Sequence, residues 1–217
     1  FGIEVILQGK QACTNGTRVV LPAVDHPALW GWLAHECGHA RETNFEVTRL
    51  VQIQNQFDLL NIIEDARIEL AMIQHFPGVE GSLNVTRQFM VDEEMYSRVL
   101  PDSSLAWKFM GTILFRLRTE LLNQRALIGH AEQAKSTFKV EFPLGVQVRL
   151  DSLLRKVSKL TSTEDAWALT QSIIQMLKDE SEKEKSQPPQ TIDSDQDQDS
   201  EETGDESPQN ANQEDPD

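Results

Sequence analysis

The sequence contains only two cysteines, Cys13 and Cys37, and this scarcity argues against a disulfide scaffold. Long apolar runs are also missing, because Arg, Glu or Gln interrupts each one well before the roughly 18 residues that a membrane span needs. No basic leader precedes the alternating Ile3, Val5 and Leu7, so we expect no signal peptide. We therefore expect a soluble, cytoplasmic protein that has no membrane partner.

Basic side chains are in short supply, since 20 Lys and Arg stand against 35 Asp and Glu, for a formal net charge of −15 at pH 7. Residues 179–217 hold 15 acidic and 2 basic side chains, whereas residues 1–178 hold 20 acidic and 18 basic side chains. A nearly neutral body with an acidic tail offers no electrostatic footprint for nucleic acid, so we expect no DNA or RNA partner.

The acidic segment also lacks aromatic residues, and Ile192 is its only large aliphatic residue. Such a segment cannot bury enough apolar surface to offset the entropy lost on ordering. We therefore predict a single folded domain over residues 1–178 and a disordered acidic tail or linker over residues 179–217.

The body itself begins with strand-like alternation and continues with helical periodicity. Residues 1–24 predict a small antiparallel β-meander, with Asn15-Gly16 as a hairpin turn. A first helix is predicted from a cap at Asp25 to about Thr43. Further helices are predicted near 57–75, 83–99, 104–122, 123–136, 149–160 and 164–178. The predicted fold is α+β and mostly helical, with the meander packed on the first helix and a helical bundle following.

The first predicted helix contains the motif with the main candidate metal ligands and general base, His35-Glu36-Cys37-Gly38-His39. On a helix the two histidines lie one turn apart and about 40° apart around the axis, so both imidazoles reach one metal ion. Glu36 then lies beside the ion without ligating it, in the position of a general base for a zinc-bound water. A glycine in a helix interior costs about 1 kcal/mol relative to alanine, so Gly38 indicates a close approach at this site.

Zinc in a catalytic site usually has three protein ligands, and the best source of the third is the acidic cluster on the second long helix. Its acids interrupt an otherwise apolar stretch, where burial is expensive unless a cation compensates. Glu64 is the first choice as third ligand and Asp65 the second. Either Asp65 or Glu69 is expected to orient a ligating histidine as an outer carboxylate. The alternative is a solvated face on which these acids form a surface network with Arg67.

Other polar candidates have weaker support from spacing. His75 is expected to end the second long helix, and His26 to lie near the cap of the first. His130 and Tyr96 are candidates for stabilising an oxyanion if the later helices fold over the cleft. Zinc is the expected metal, although two histidines and a carboxylate also suit iron, manganese, nickel or cobalt.

These residues resemble the gluzincin branch of the zincin metallopeptidases, which combine His-Glu-x-x-His with a Glu on a second helix. More narrowly, the chain is similar to the predicted metallopeptidase domain of cobalt-chelatase-like proteins that carry a von Willebrand factor A module. The resemblance rests on residues 17–22, 35–39 and 61–69, and it covers about the first third of the chain.

The resemblance implies a zinc-dependent peptidase that acts on a peptide or protein substrate. In it, His35, His39 and Glu64 would be the zinc ligands and Glu36 the general base. Gluzincins such as thermolysin have an Asp four residues after the ligand Glu, whereas this chain has Ile68 there. The acidic tail would connect to a von Willebrand factor A module or an ATPase partner.

Two other functions fit parts of the same sequence. The first is a non-catalytic, zinc-stabilised scaffold of a chelatase-like or ATPase-associated assembly, which needs the two histidines but not Glu36. The second is an acidic-tailed binding protein without metal. An edge strand of the N-terminal hairpin is expected to hold an extended peptide if the chain is a peptidase.

Overall fold

The computed structural model describes residues 2–53 and 56–186 of the chain. Three short strands precede a series of α-helices, which confirms the predicted α+β, mostly helical fold. The strands are β1 (Glu4–Leu7), β2 (Cys13–Thr14) and β3 (Arg18–Leu21). The helices are α1 (Ala28–Glu42), α2 (Phe45–Ile53), α3 (Phe57–His75), α4 (Val79–Asp92), α5 (Leu105–Arg116), α6 (Ile128–Glu141), α7 (Leu144–Leu154) and α8 (Thr163–Ser186).

The sheet differs from the predicted antiparallel meander in the placement of β1. Its order is β1-β3-β2, with β1 parallel and β2 antiparallel to the central β3. Gly9, at φ +76°, lies in the segment that carries the chain from one edge to the other, and its carbonyl accepts a hydrogen bond from the Ala23 amide. The prediction of a meander was therefore wrong in topology, and β2 keeps one edge unpaired within the described sheet.

The predicted helices are present with shifted ends. The second long helix matches its predicted range, 57–75, whereas α4 begins and ends earlier than predicted and α8 continues beyond 178 to Ser186. The remainder of the predicted acidic tail, residues 187–217, lies outside the described residues. The predicted cap at Asp25 is replaced by its neighbour, because the His26 Nδ1 atom accepts a hydrogen bond from the Ala28 amide at 3.1 Å.

One helix was not predicted, and the end of another has a form that was not predicted. Helix α2 follows Asn44, whose side-chain oxygen accepts a hydrogen bond from the Glu46 amide at 3.0 Å, as a capping residue does. Residues 117–121, which lie within the helix predicted near 104–122, form a single π-helical turn, Leu117–Leu121, that extends α5; Asn123, two residues after the turn, has φ +53°. Such turns are rare and are concentrated at functional sites.

The helices enclose a main core formed by α3, α5, α7 and α8, while a smaller core joins β3 to α1. Val19 and Leu21 of β3 are buried against Ala28 and Trp32 of α1, which fixes α1 on the sheet. On its other side α1 packs on α3 and α4. Among the described residues, no helix is both long and apolar enough to cross a membrane.

Helices α1 and α4 touch at Gly31, where a β-carbon would lie 2.0 Å from the Thr86 Oγ1 atom and 2.4 Å from the Ser82 carbonyl oxygen. The Gly31→Ala substitution is therefore expected to lower the free energy of unfolding by about 1–3 kcal/mol, because the two helices must separate. Chemical denaturation measures the change.

The matched control is Gly81→Ala, because a β-carbon at Gly81 of α4 has no neighbouring atom within 4 Å. Alanine there is expected to leave stability unchanged or to raise it by up to about 1 kcal/mol. Equal effects of the two substitutions would contradict close packing of α1 on α4.

Candidate metal centre

The two histidines of the sequence motif lie side by side on α1. Their ring centroids are 4.8 Å apart and their planes are nearly perpendicular. Gly38 between them lets α3 approach, since a β-carbon there would lie 2.9 Å from the Ile68 Cδ1 atom and 3.1 Å from the Met72 Cγ atom. The expected close approach at Gly38 is therefore made by side chains of α3.

Each imidazole is oriented by a hydrogen bond at its Nδ1 atom. The His35 Nδ1 atom lies 2.8 Å from a carboxylate oxygen of Glu69, and the His39 Nδ1 atom lies 3.0 Å from the Thr43 hydroxyl. The Thr43 hydroxyl donates its proton to a carboxylate oxygen of Glu64 at 2.9 Å. The Thr43 oxygen is therefore the acceptor of the hydrogen bond from the His39 Nδ1 atom. Both Nδ1 atoms are thus donors, and the Nε2 atoms are left to bind a cation.

Both Nε2 atoms converge on one carboxylate oxygen of Asp65. The Asp65 Oδ1 atom is 3.1 Å from the His39 Nε2 atom and 3.7 Å from the His35 Nε2 atom. One ligand atom from each of these three residues lies within 4.8 Å of the other two. A carboxylate oxygen this close to an imidazole nitrogen needs a proton or a cation between them. Burial lowers the pKa of His39, but Asp65 opposes this effect and raises it above its ordinary value.

Glu64, the first choice for the third ligand, is engaged elsewhere. Both of its carboxylate oxygens accept hydrogen bonds from the Arg67 guanidinium, at 2.7 and 2.8 Å, and one also accepts from the Thr163 hydroxyl at 2.8 Å. Its side chain is buried, and its charge is already paired with that of Arg67. The structure therefore groups Asp65, the second choice, with the histidines instead of Glu64.

The second carboxylate oxygen of Asp65 is held by Arg118 at 3.0 Å. Burial alone would raise the pKa of Asp65, but the charges of His35, His39 and Arg118 lower it to about 2. Asp65 therefore remains ionised throughout the neutral range, with its Oδ1 atom presented to the two histidines.

Glu69 lies behind His35 and is fully buried. Besides the imidazole, its carboxylate accepts hydrogen bonds from Arg87, from Arg118 at 2.5 Å and from the Gln124 side chain at 2.6 Å. Burial opposes ionisation, yet the two arginines lower its pKa well below the ordinary range. Glu69 is thus a fixed anion that orients His35, as the sequence predicted for an outer carboxylate.

Sequence reasoning missed four of the residues that support this centre, which are Thr43, Arg87, Arg118 and Gln124. Thr43 had a detectable signal, because it follows His39 by four residues, just after the last residue of α1, and so lies within reach of its ring. The other three come from α4, the π-helical turn and the segment after it. Their distance along the chain gives no indication that they meet Glu69.

Glu36 lies beside the histidines and is 5% exposed. Burial raises the pKa of its carboxyl, while the neighbouring His35 and His39 oppose the increase. Within residues 2–53 and 56–186 no side chain or amide donates a hydrogen bond to it. Such a carboxylate suits proton transfer, because its raised pKa lies closer to neutrality and no donor competes for its oxygens.

A cleft opens over the centre and has two lobes that share the walls His35, Glu36 and Asp65. The polar lobe has a volume of about 570 Å³, and the methionine lobe about 610 Å³. The polar lobe is defined by Thr14, Asn15, Thr48, Arg49, Gln52 and Phe57. The methionine lobe is defined by Trp32, Met90, Met95, Tyr96, Trp107 and Met110.

The free edge of β2 runs along this cleft, since Cys13 and Thr14 line the polar lobe and Ala12 lines both lobes. Of the two candidates for oxyanion stabilisation, Tyr96 lines the methionine lobe, whereas His130 is buried against Phe115 and lines neither lobe.

His75 lies at the exposed end of α3, as predicted, where its Nδ1 atom is 2.8 Å from the Ala71 carbonyl oxygen. Neither it nor His26 belongs to the group formed by His35, His39 and Asp65.

Comparison of the chain with known proteins adds no further constraint on this centre. No family model, curated protein or solved structure matches the chain. The resemblance to gluzincins therefore remains a prediction from the sequence motif, and the geometry described above is the basis for a functional assignment.

Proposed function

We propose that this chain is a zinc-dependent hydrolase of the metallopeptidase type, with His35, His39 and Asp65 as the metal ligands and Glu36 as the general base. One observation carries the proposal. Two imidazole Nε2 atoms and one carboxylate oxygen converge within 4.8 Å, next to a buried carboxylate that has no hydrogen-bond donor among the described residues.

The donor set suits zinc. Two imidazoles and one carboxylate are ligands that a catalytic zinc site uses, and such a site keeps a further position open for water or substrate. Both imidazoles are fixed through their Nδ1 atoms, by Glu69 and Thr43, as ligating histidines usually are. A bound zinc ion would polarise the scissile carbonyl and lower the pKa of a bound water to about 7.

The charge balance around the histidines also favours a cation. The carboxylates of Glu36, Asp65 and Glu69 face two guanidinium groups, those of Arg87 and Arg118. With neutral imidazoles one negative charge is left over, in surroundings where an uncompensated charge is costly. A divalent cation offsets that charge.

Glu36 carries the protons in this proposal. In its ionised form it accepts a proton from the attacking water, and it then donates that proton to the amide nitrogen that leaves as an amine. Burial favours this exchange because it raises the pKa of the carboxyl toward neutrality. The products are a carboxylate and an amine, and Glu36 returns to its ionised form.

The edge of β2 and Tyr96 would act on the substrate. An extended peptide can add to the unpaired edge of β2 through main-chain hydrogen bonds, which brings its backbone across His35 and Glu36. The Tyr96 hydroxyl, at the wall of the methionine lobe, lies 3.9 Å from the Met90 Sδ atom and would donate instead to the oxyanion that develops on the attacked carbonyl.

The test is a hydrolysis assay with the zinc-loaded chain and a mixture of quenched fluorescent peptides. We expect one zinc per chain, cleavage of some peptides, loss of cleavage on chelation and recovery when zinc is returned. The His35→Ala variant is expected to lose both zinc and cleavage. A chain that binds one zinc but leaves every peptide intact would contradict the hydrolase proposal and favour the zinc-stabilised scaffold.

Thr43 should affect metal affinity although it does not ligate the metal. In Thr43→Val the His39 Nδ1 atom loses its acceptor at 3.0 Å, so zinc affinity is expected to fall by about tenfold. Competition with a chelator of known affinity measures the change. The control is Thr48→Val, because the Thr48 hydroxyl donates to the Phe45 carbonyl and does not contact either histidine. Unchanged zinc affinity in Thr43→Val would contradict the role of Thr43 in orienting His39.

A further inference from the structure

We propose that the methionine lobe is a binding subsite for one large apolar side chain of the peptide substrate, adjacent to the bond that is cleaved. This inference rests on the proposed function and adds a substrate class to it. The chain is expected to act on peptides that carry an aromatic or long aliphatic residue at one fixed position beside the scissile bond.

The position of the lobe supports the inference. It shares His35, Glu36 and Asp65 with the polar lobe, so a side chain that enters it lies next to the reacting position. It also reaches the chain just before β2, at Lys10 and Gln11. A peptide paired with the edge of β2 therefore passes from one lobe to the other across the residues that the two lobes share.

The chemistry of the walls indicates what the lobe binds. Three of the five methionines in the chain line it, together with Trp32, Trp107 and Tyr96. Methionine side chains adapt to different apolar shapes and make favourable contacts with aromatic rings. The concavity, of about 610 Å³, is within the size range of ligand pockets and is too large for one side chain to fill by itself; its methionine and aromatic wall is apolar, and charged and amide groups, among them Asp58 and Asn61, line the rest. It therefore has space for a large side chain and the adjacent backbone.

The backbone after α4 is shaped to form this wall. Glu94 adopts φ +53°, and the Met95 amide donates to the Met90 carbonyl at 2.8 Å, which turns the chain back at the end of the helix. Glycine usually occupies such a position, and a non-glycine residue in this conformation is found more often at functional sites. The turn brings Met95 and Tyr96 to the lobe, where Met95 remains 49% exposed.

The arginines at the base of the lobe do not favour an acidic ligand instead. Arg87 donates to Glu69, and Arg118 donates to both Glu69 and Asp65, so their charges are already paired. The polar lobe differs, since it has neither methionine nor tryptophan in its wall. A strong apolar preference is therefore expected on one side of the scissile bond only.

The experiment separates binding from hydrolysis. Zinc-loaded Glu36→Gln chain is titrated with two blocked hexapeptides that differ only in having Phe or Ser at one central position, and tryptophan fluorescence reports binding through Trp32 and Trp107. We expect the Phe peptide to bind at least about tenfold more tightly. The Met95→Ser substitution is expected to remove most of this difference. The control, Val85→Ser, changes an apolar residue that is 43% exposed and lines neither lobe, and it should leave the difference unchanged.

The outcomes distinguish this inference from the proposed function. Equal binding of the two peptides, no binding of either, or equal effects of Met95→Ser and Val85→Ser would overturn the apolar subsite. Preferential binding of the Phe peptide, together with intact peptides after incubation with zinc-loaded wild-type chain, would support the subsite and contradict the hydrolase. In the wild-type chain, cleavage beside Phe on one constant side supports both, whereas cleavage without regard to Phe overturns the subsite alone.

Discussion

The Glu36→Gln substitution is expected to lower kcat/KM for peptide hydrolysis by about 10²–10⁴-fold, because the amide cannot accept a proton from water. Zinc content should stay at one per chain, since His35, His39 and Asp65 are unchanged. The fold should persist as well, because glutamine has nearly the same shape and the carboxylate of Glu36 makes no hydrogen bond with the described residues. Hydrolysis kinetics and elemental analysis on the same preparation give the two quantities.

The matched control is Glu46→Gln, which makes the same change at an exposed position of α2 outside both lobes. It should leave zinc content and kcat/KM at wild-type values. Full activity of the Glu36→Gln variant would contradict the role of Glu36 as general base. Loss of zinc from it would instead indicate that Glu36 is a ligand.

The second large effect separates two neighbouring acids on α3. Asp65→Asn is expected to weaken zinc binding by at least about 100-fold, because loss of an outer hydrogen-bond partner alone typically costs 10–100-fold and a ligand contributes more. Glu64→Gln is expected to keep zinc affinity within a few-fold of wild type. It should instead lower the free energy of unfolding by about 3 kcal/mol, since Arg67 then stays buried without its charged partner.

Chelator competition and chemical denaturation of both variants measure these effects. The opposite pattern, with zinc lost in Glu64→Gln and kept in Asp65→Asn, would assign the third ligand to Glu64 as the gluzincin resemblance implies. Zinc affinity separates the two variants, because Asp65→Asn removes a ligand whereas Glu64→Gln does not, so each variant is the control for the other in the zinc titration; both are expected to lower stability, since Asp65 also pairs with the buried Arg118.

The choice between Glu64 and Asp65 shows what the sequence could and could not predict at the centre. The sequence placed the acidic cluster opposite the histidines, but successive residues on a helix differ in direction by about 100°, so the rotation of α3 decides which acid faces them. A signal for that rotation was present. Asp65 and Glu69 are four residues apart, as are His35 and His39, whereas Glu64 has Arg67 three residues ahead as a partner on its own helix.

The rest of the centre depends on contacts that no local pattern encodes. Arg87 and Arg118 reach Glu69 from segments 18 and 49 residues further along the chain. The sequence indicated that buried acids needed a compensating cation, but it could not indicate which arginines would supply it. Helix α3 was predicted with its full range because Phe76-Pro77-Gly78 ends it. The crossover at Gly9, which places β3 between β1 and β2, was not predicted.

That crossover is important for the proposed function. In a meander with strand order β1-β2-β3, β2 would be the central strand and both its edges would be paired. In the observed order β1-β3-β2, the edge of β2 beside the metal centre has no partner strand among the described residues. The error in predicted topology and the free edge available to a peptide therefore have the same structural cause.

The central claim is that His35, His39 and Asp65 hold one zinc ion beside Glu36. Anomalous diffraction from crystals grown with zinc, recorded on both sides of the zinc absorption edge, tests it most directly. We expect one strong peak bounded by the Nε2 atoms of the two histidines and the Oδ1 atom of Asp65. A peak coordinated by Glu64, or no peak at the two histidines in zinc-saturated crystals, would contradict the claim.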